Sequence, residues 1–223
     1  MAMTTASQIG VLDLQGGVQE HLEHLQRIGV GGRPVKHAGD FEGLAGLIMP
    51  GGESTCLRRL LDSFGLKEII EREYQRGLKL WGTCAGAILL AKENCGEEPY
   101  FGFIDVSVKR NAFGSQLDSF ACEASIPRVA AVLLPLTFIR APKIIRAGQD
   151  VEVLLRLDDY IAAAETCGVL VTVFHPELTP GLAFHRYFAR KCGVPIAAND
   201  AEVLDSSWTH CSWMGFPRQA KLP

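Results

Sequence analysis

Leu78-Lys79-Leu80-Trp81-Gly82-Thr83-Cys84-Ala85-Gly86-Ala87-Ile88-Leu89-Leu90 decides the fold. An apolar run (Leu78, Leu80, Trp81) leads into Gly82, and a run of helix formers from Ala87 to Lys92 leaves Gly86. A strand that hands over to a helix, with a small residue on either side of one reactive residue, is what a nucleophile elbow requires. Gly82 and Gly86 let the backbone turn sharply and pack closely, so that Cys84 is held in a strained, presented position. At the start of the following helix, unpaired N–H groups and the positive end of the macrodipole favour a thiolate, the reactive form of cysteine. Taken alone, Gly-x-Cys-x-Gly also fits a buried structural cysteine between two packing glycines. The flanking chain has to decide.

Upstream, Ile9 to Leu14 is a strand, Gln15-Gly16-Gly17 a turn, and Val18 to Ile28 a helix with apolar residues at 18, 22, 25 and 28. Pro34 to His37 is a weaker strand, and 41–45 a connection. Gly46 to Met49 is a strong strand that runs into Pro50-Gly51-Gly52-Glu53-Ser54-Thr55 and opens a helix to about Arg76. Strands followed by a turn and a helix imply a parallel sheet with right-handed crossovers, and ligands gather at the carboxyl ends of such strands. Gln15-Gly16, Gly51-Gly52 and Cys84 all sit there. The Gly51-Gly52 loop suits an oxygen of developing negative charge facing backbone N–H groups. A phosphate cradle is the rival, but the loop lacks the Gly-Lys-Ser/Thr ending that supplies a lysine. A plain βα turn with a Ser cap is the third reading. His21 and His24, three apart beside Glu20 and without a third ligand, are expected on the surface and not on a metal.

Downstream of Tyr100 the pattern changes to shorter alternating strands at 101–109, 119–126, 133–139, 151–155 and 160–164, read as a mixed or antiparallel extension of the same sheet. Arg110 and Arg140 each lie at a strand end beside a turn, where a guanidinium can fork onto a carboxylate. Then Val169 to Phe174 forms an apolar strand that ends in His175-Pro176-Glu177. His175 can take the thiol proton, and Glu177, presented across a proline that fixes the backbone, can hold the other ring nitrogen. With Cys84 at a matching strand end, the set reads as a Cys/His/Glu triad.

Composition limits the function classes. The chain has 223 residues, 48% apolar and 21% charged, which is enough for one good core. A net charge of −3 without long runs of one sign gives no reason to expect nucleic acid. Seven scattered cysteines without a Cys-x-x-Cys pair encode neither a disulfide framework nor a zinc site, and they suit a reducing cytoplasm. No targeting segment and no membrane span is expected. Residues 197–223, with Trp208, Trp213 and Phe216 among polar neighbours, have neither helical nor strand period. That tail is open between disorder, an extra contact surface and a divergent terminus.

These residues resemble a known family. Gly82-Thr83-Cys84-Ala85-Gly86 with His175-Pro176-Glu177 is similar to the class I (triad) glutamine amidotransferases. Gly10-Val11-Leu12-x-Leu14-Gln15-Gly16, Pro50 to Thr55, Arg58-Arg59-Leu60, Arg110-Asn111-x-Phe113-Gly114, Asp118-Ser119-Phe120 and Phe138-Ile139-Arg140-Ala141-Pro142 narrow the resemblance to the glutaminase subunits of pyridoxal 5′-phosphate synthase, the PdxT/SNO family. It spans about residues 8 to 193, in order. It implies a flavodoxin-like three-layer α/β/α fold with a mixed, mostly parallel sheet, one glutaminase domain over 8–196 and a tail over 197–223. It implies L-glutamine as substrate and a PdxS-type synthase subunit as partner in a heteromeric complex, with no metal and no organic cofactor. Cys84 is then the nucleophile, His175 the acid/base and Glu177 its orienter. Gly52, Glu53, Ser54, Arg110, Ile139 and Arg140 match the glutamine-binding positions, and Gly52 and Ala85 the oxyanion donors. Cys56, where many relatives have threonine, places a second thiol near the site. A different class I amidotransferase would lack the Arg110 and Arg140 segments. An α/β-hydrolase would place its acid before its histidine. A subunit that only binds the synthase would have lost a triad residue.

Overall fold

The computed structural model describes residues 8–110 and 119–197. Asn111, Phe113, Gly114 and Asp118 of the motifs above, and the tail from 198 to 223, lie outside the described residues. The chain runs β1 (Gln8–Leu12), α1 (Val18–Arg27), β2 (Gly31–Val35), a 3-10 turn (Ala38–Phe41), β3 (Leu44–Met49), α2 (Ser54–Ser63), α3 (Lys67–Gln75), β4 (Lys79–Thr83) and α4 (Ala85–Leu90). It continues through β5 (Ala91–Asn94), β6 (Ile104–Lys109), β7 (Phe120–Ser125), β8 (Leu133–Phe138), β9 (Lys143–Ala147), β10 (Glu152–Leu157), β11 (Tyr160–Glu165) and β12 (Val169–Thr172) to a 3-10 turn (Pro176–Leu178) and α5 (Ala183–Lys191).

The main sheet has the order β2-β1-β3-β4-β12-β11-β9-β6-β5, with β10 on β11. From β2 to β12 every pairing is parallel. β11 is antiparallel to β12 and β10, and it meets β9 through one residue pair, Ile161 with Ile144. β6 then pairs antiparallel with β9 and parallel with β5. The fold is therefore α/β with a mixed, mostly parallel sheet flanked by helices, as expected. β1 leads to β2 on one side, and β3 pairs on its other side. Right-handed crossovers must then put α1 on one face and α2 with α3 on the opposite one. The packing agrees, since α1 meets α5 and α2 meets α4. The reversal between β1 and β3 opens a crevice at their carboxyl ends. Parallel strands covered on both faces must be apolar throughout, and Leu47, Ile48, Met49, Val169, Leu170 and Val171 are fully buried.

Several boundaries differ from expectation. The helix expected from Ser54 to Arg76 is two helices, because Gly65 takes φ +62°, a conformation that ends α2. β2 starts at Gly31 and not at Pro34, and it is an edge strand, where a missing proline N–H costs no ladder bond. α4 stops at Leu90, so Lys92 lies in β5. β9 was not anticipated. Among the described residues β7 and β8 pair only with each other, as a separate two-stranded sheet, whereas the other strands after Tyr100 do extend the main sheet. Among the described residues no helix is long and apolar enough to cross a membrane.

Candidate active site

Cys84 sits between β4 and α4 with φ 47° and ψ −101°, in the positive-φ region that a side chain adopts only under constraint. Its N–H donates to the Thr172 carbonyl of β12 at 2.8 Å, which ties the elbow to the strand that carries the histidine. A Cβ on Gly82 would lie 2.5 Å from the Gly86 carbonyl carbon, and one on Gly86 would lie 2.1 Å from the Met49 carbonyl oxygen. Both positions therefore require glycine, as the elbow reading expects.

His175 lies beyond the end of β12 and immediately before the 3-10 turn that holds Glu177. Its N–H donates to the Thr137 carbonyl at 2.8 Å, so the separate β7–β8 hairpin braces the histidine. The ring Nδ1 is 2.7 Å from Glu177 Oε1, and the Cys84 side chain lies close enough to the ring to favour its charged form. With Nδ1–H given to the carboxylate, Nε2 is left for the thiol. Burial pulls the His175 pKa down, but the Glu177 carboxylate and Cys84 outweigh it and hold the imidazole well above its usual value. Burial also works against the Glu177 carboxylate, yet His175 and His21 draw its pKa down to about 2. The carboxylate is thus ionised near neutral pH and stabilises an imidazolium.

A pocket of about 410 Å³ opens over these side chains, and Cys84, His175 and Glu177 line it together with Gly52, Glu53, Ser54, Arg110, Ile139 and Arg140. Every expected triad and substrate position is thus brought to one cavity. Ala85 is not part of the lining; it is buried as the first residue of α4, where a backbone N–H has no partner within the helix. Gly16, Gly17 and Gly51 also line the cavity. The strand-end loops interlock through atoms only glycine leaves room for. A Cβ on Gly16 would meet the Gly51 carbonyl oxygen at 2.1 Å, and one on Gly51 would meet His175 Cε1 at 2.4 Å.

The cap of α2 is Glu53 and not Ser54. Its carboxylate accepts from the N–H groups of Thr55 at 3.0 Å and Cys56 at 2.7 Å. Burial pushes the Glu53 pKa up, but those N–H groups and Arg110 leave it below the usual value. Arg110 lies 3.3 Å from Glu53 Oε1 and also pairs with Glu97. The Glu53 carbonyl accepts from Gln15 Nε2 at 2.8 Å, and Gly52 beside it has φ +142°. Arg140 takes φ +44°, unusual for a side chain of its size, at the mouth of the same pocket. Cys56 is exposed and does not line the pocket.

His21 and His24 depart most from expectation. Both are fully buried, because α1 turns them inward against α5 and the Glu177 turn. The signal was in the spacing, since Val18, His21, Leu25 and Ile28 share one helical face.

The described SNO glutamine amidotransferase family matches residues 11–194. The chain is 59% identical over 207 residues to the pyridoxal 5′-phosphate synthase subunit PdxT of Syntrophus aciditrophicus (strain SB), covering 92% of each chain. It is 48% identical over 186 residues to the subunit of that name from Clostridium botulinum (strain Loch Maree / Type A3), covering 82% of this chain and 96% of that one. A solved structure described as a crystal structure of glutamine amidotransferase superposes with a TM-score of 0.77 at 43% identity, covering 83% of this chain and 99% of that one. PurLQS from Thermotoga maritima, at 15% identity and a TM-score of 0.58 over 82% of this chain and 98% of that one, shares the fold alone. The chain belongs to the SNO glutamine amidotransferase family.

Proposed function

We propose that this chain hydrolyses the side-chain amide of L-glutamine through a thioester on Cys84 and passes the ammonia to a PdxS-type synthase subunit of pyridoxal 5′-phosphate synthase, in vitamin B6 biosynthesis. The observation that carries this reading is His175, lining one pocket with Cys84 and 2.7 Å from Glu177, in a cavity that offers both a carboxylate and guanidinium groups. An amino acid needs both: Glu53 suits its ammonium group, and Arg110 and Arg140 suit its carboxylate. Gly52, Ser54 and Ile139 line the space between.

The steps follow from these roles. Cys84 gives its proton to His175, and Sγ attacks the amide carbon. The oxyanion is held by the backbone N–H groups of Gly52 and Ala85. His175 returns the proton to the departing nitrogen, ammonia leaves, and a thioester remains. Water then loses a proton to His175, attacks the thioester and releases glutamate, and the proton goes back to Cys84. Glu177 stabilises the imidazolium at both stages. This chemistry calls on no metal or organic cofactor.

We read residues 8–196 as one glutaminase domain and 197–223 as a tail, and we place the protein in a reducing cytoplasm, which its scattered thiols suit. Ammonia is mostly protonated near neutral pH and is then no nucleophile, so hydrolysis is useful only when the acceptor site is present. The interlocked glycine loops, Gln15-Gly16-Gly17 and Gly51-Gly52, are the elements that a partner would adjust. The test is a titration of the synthase subunit against glutamate release. Weak release alone and a large rise with partner is the expected result. No release in the presence of bound synthase would overturn the function, and full release unaffected by it would overturn the gating.

A further inference from the structure

We propose that His21, set in its Nε2–H form by His185, is a positioning residue that holds the far oxygen of Glu177 and so aims the near oxygen at His175. The proposal rests on the triad reading above.

Glu177 is almost fully buried, and its two oxygens have different surroundings. Oε1 is the one bound to His175, whereas Oε2 faces His21 Nε2 across 3.5 Å, and among the described residues neither Oε2 nor His21 Nε2 makes a hydrogen bond. That gap is long for a hydrogen bond, but contacts of this kind are often loose before substrate binds. The other nitrogen of His21, Nδ1, is 2.8 Å from His185 Nε2 on α5. Two arrangements of protons are available. If His185 Nε2–H donates to His21 Nδ1, then His21 Nε2 carries its proton on the side of the carboxylate, 3.5 Å away, and His185 Nδ1 is an acceptor without a partner. If the bond runs the other way, the lone pair of His21 Nε2 faces an ionised carboxylate, and His185 Nδ1–H is a buried donor without a partner. The first arrangement avoids both penalties.

The surroundings fix the stack in place. Trp81 of β4, three residues before Cys84, meets both rings edge-on, with centroids 5.5 Å from His21 and 5.0 Å from His185. His24, whose ring lies 4.5 Å from that of His185, sits between the Glu20 carbonyl at 2.8 Å and the Thr179 carbonyl at 3.0 Å, and its neutral ring donates to one of them, keeping α1 beside the turn that carries Glu177. A Cβ on Gly17 would lie 3.0 Å from Glu177 Cγ, so the start of α1 runs close beside the same side chain. The titratable groups around His21 are Glu177 and His175 from the turn after β12, His24 from its own helix and His185 from α5. Burial outweighs the pull of Glu177 and holds the His21 pKa down to about 4, consistent with a neutral donor.

The test uses the full chain with its synthase partner and, in parallel, NMR of the intact glutaminase. Long-range proton–nitrogen correlations near pH 7 should show His21 protonated at Nε2 and bare at Nδ1; the opposite tautomer overturns the proposal whatever the variants do. His21→Leu should lower kcat about 10- to 100-fold with the KM for glutamine nearly unchanged, and His21→Gln, which keeps an N–H donor, should recover most of the loss. Equal losses in both variants, or a change in KM alone, would overturn it. Cys84→Ala separates the readings. If that variant stays active, the triad itself fails; if it is inactive while His21→Leu is folded and fully active, only the role of His21 fails.

Discussion

The two sides of the Glu177 carboxylate carry histidines that are both buried and behave in opposite ways. On the pocket side, His175 is held well above the ordinary imidazole range; on the far side, His21 is pushed down to about 4. Burial lowers both, so it does not distinguish them. His175 has two groups that favour its charge, Glu177 and Cys84. His21 has Glu177 alone, opposed by His24 and His175. One buried carboxylate supports one cation, and the second histidine is left as a neutral spacer. The lesson is that charge partners, and not depth, set which histidine can work as an acid and base.

The comparison is broken most severely by removing the pocket-side partner. Cys84→Ala should lower glutamate release by about 10⁴-fold or more with partner present, while leaving the unfolding midpoint nearly unchanged, and a glutamine-like electrophile should label Cys84 and not the exposed Cys56. Undiminished turnover would remove Cys84 from the chemistry. Next comes the shared group itself. Glu177→Gln keeps the shape and removes the charge, so kcat should fall about 10³-fold and the His175 titration should move down toward its ordinary value, as followed by NMR. An unmoved His175 would mean that Glu177 does not set its charge. The smallest effect concerns stability on the far side. The folded His21 pKa lies below the unfolded 6.5, so the unfolded chain binds more protons between these values, and stability falls as the pH drops from about 6.5 to 4. This amounts to about 3 kcal/mol from His21, to which the lowered His24 and His185 add in the same direction. His175, raised in the fold, acts oppositely: its contribution is complete below 6.5 and is lost as the pH rises through its folded value. Urea unfolding between pH 4 and 7 should show the acid-side slope; a flat profile would refute the buried, neutral stack.

The pocket side was readable in the sequence and the far side was not, for a physical reason. Gly82-Thr83-Cys84-Ala85-Gly86 and His175-Pro176-Glu177 act through near neighbours, so their geometry is local. The parallel strands were readable too, because burial on both faces demands unbroken apolar runs such as Leu47 to Met49. His21 meets His185 across 164 positions, and nothing near either residue announces the other. Treating His21 as solvated ignored that it shares a face with Leu25 and Ile28. The pairing of β7 with β8 alone was also out of reach, since alternation says that a strand forms but not which strand it joins. Gly65, which divides α2 from α3, was overlooked inside a long periodic stretch, where a single glycine is often tolerated.

The one-pair junction between β11 and β9 bears on the shape of the main sheet. In a flat sheet the five steps from β4 to β5 would separate those strands by roughly 24 Å. The chain covers that separation with Cys84 and a six-residue α4, a path of at most about 19 Å. A flat sheet is therefore impossible, and the strands between β4 and β5 must curve back toward α4; the β11–β9 junction, a single residue pair, resists such curvature least. That bend brings Arg110, at the end of β6, to Glu53, at the start of α2. The shortness of the nucleophile's helix thus acts as a drawstring that pulls the distant edge of the sheet around to become a wall of the pocket.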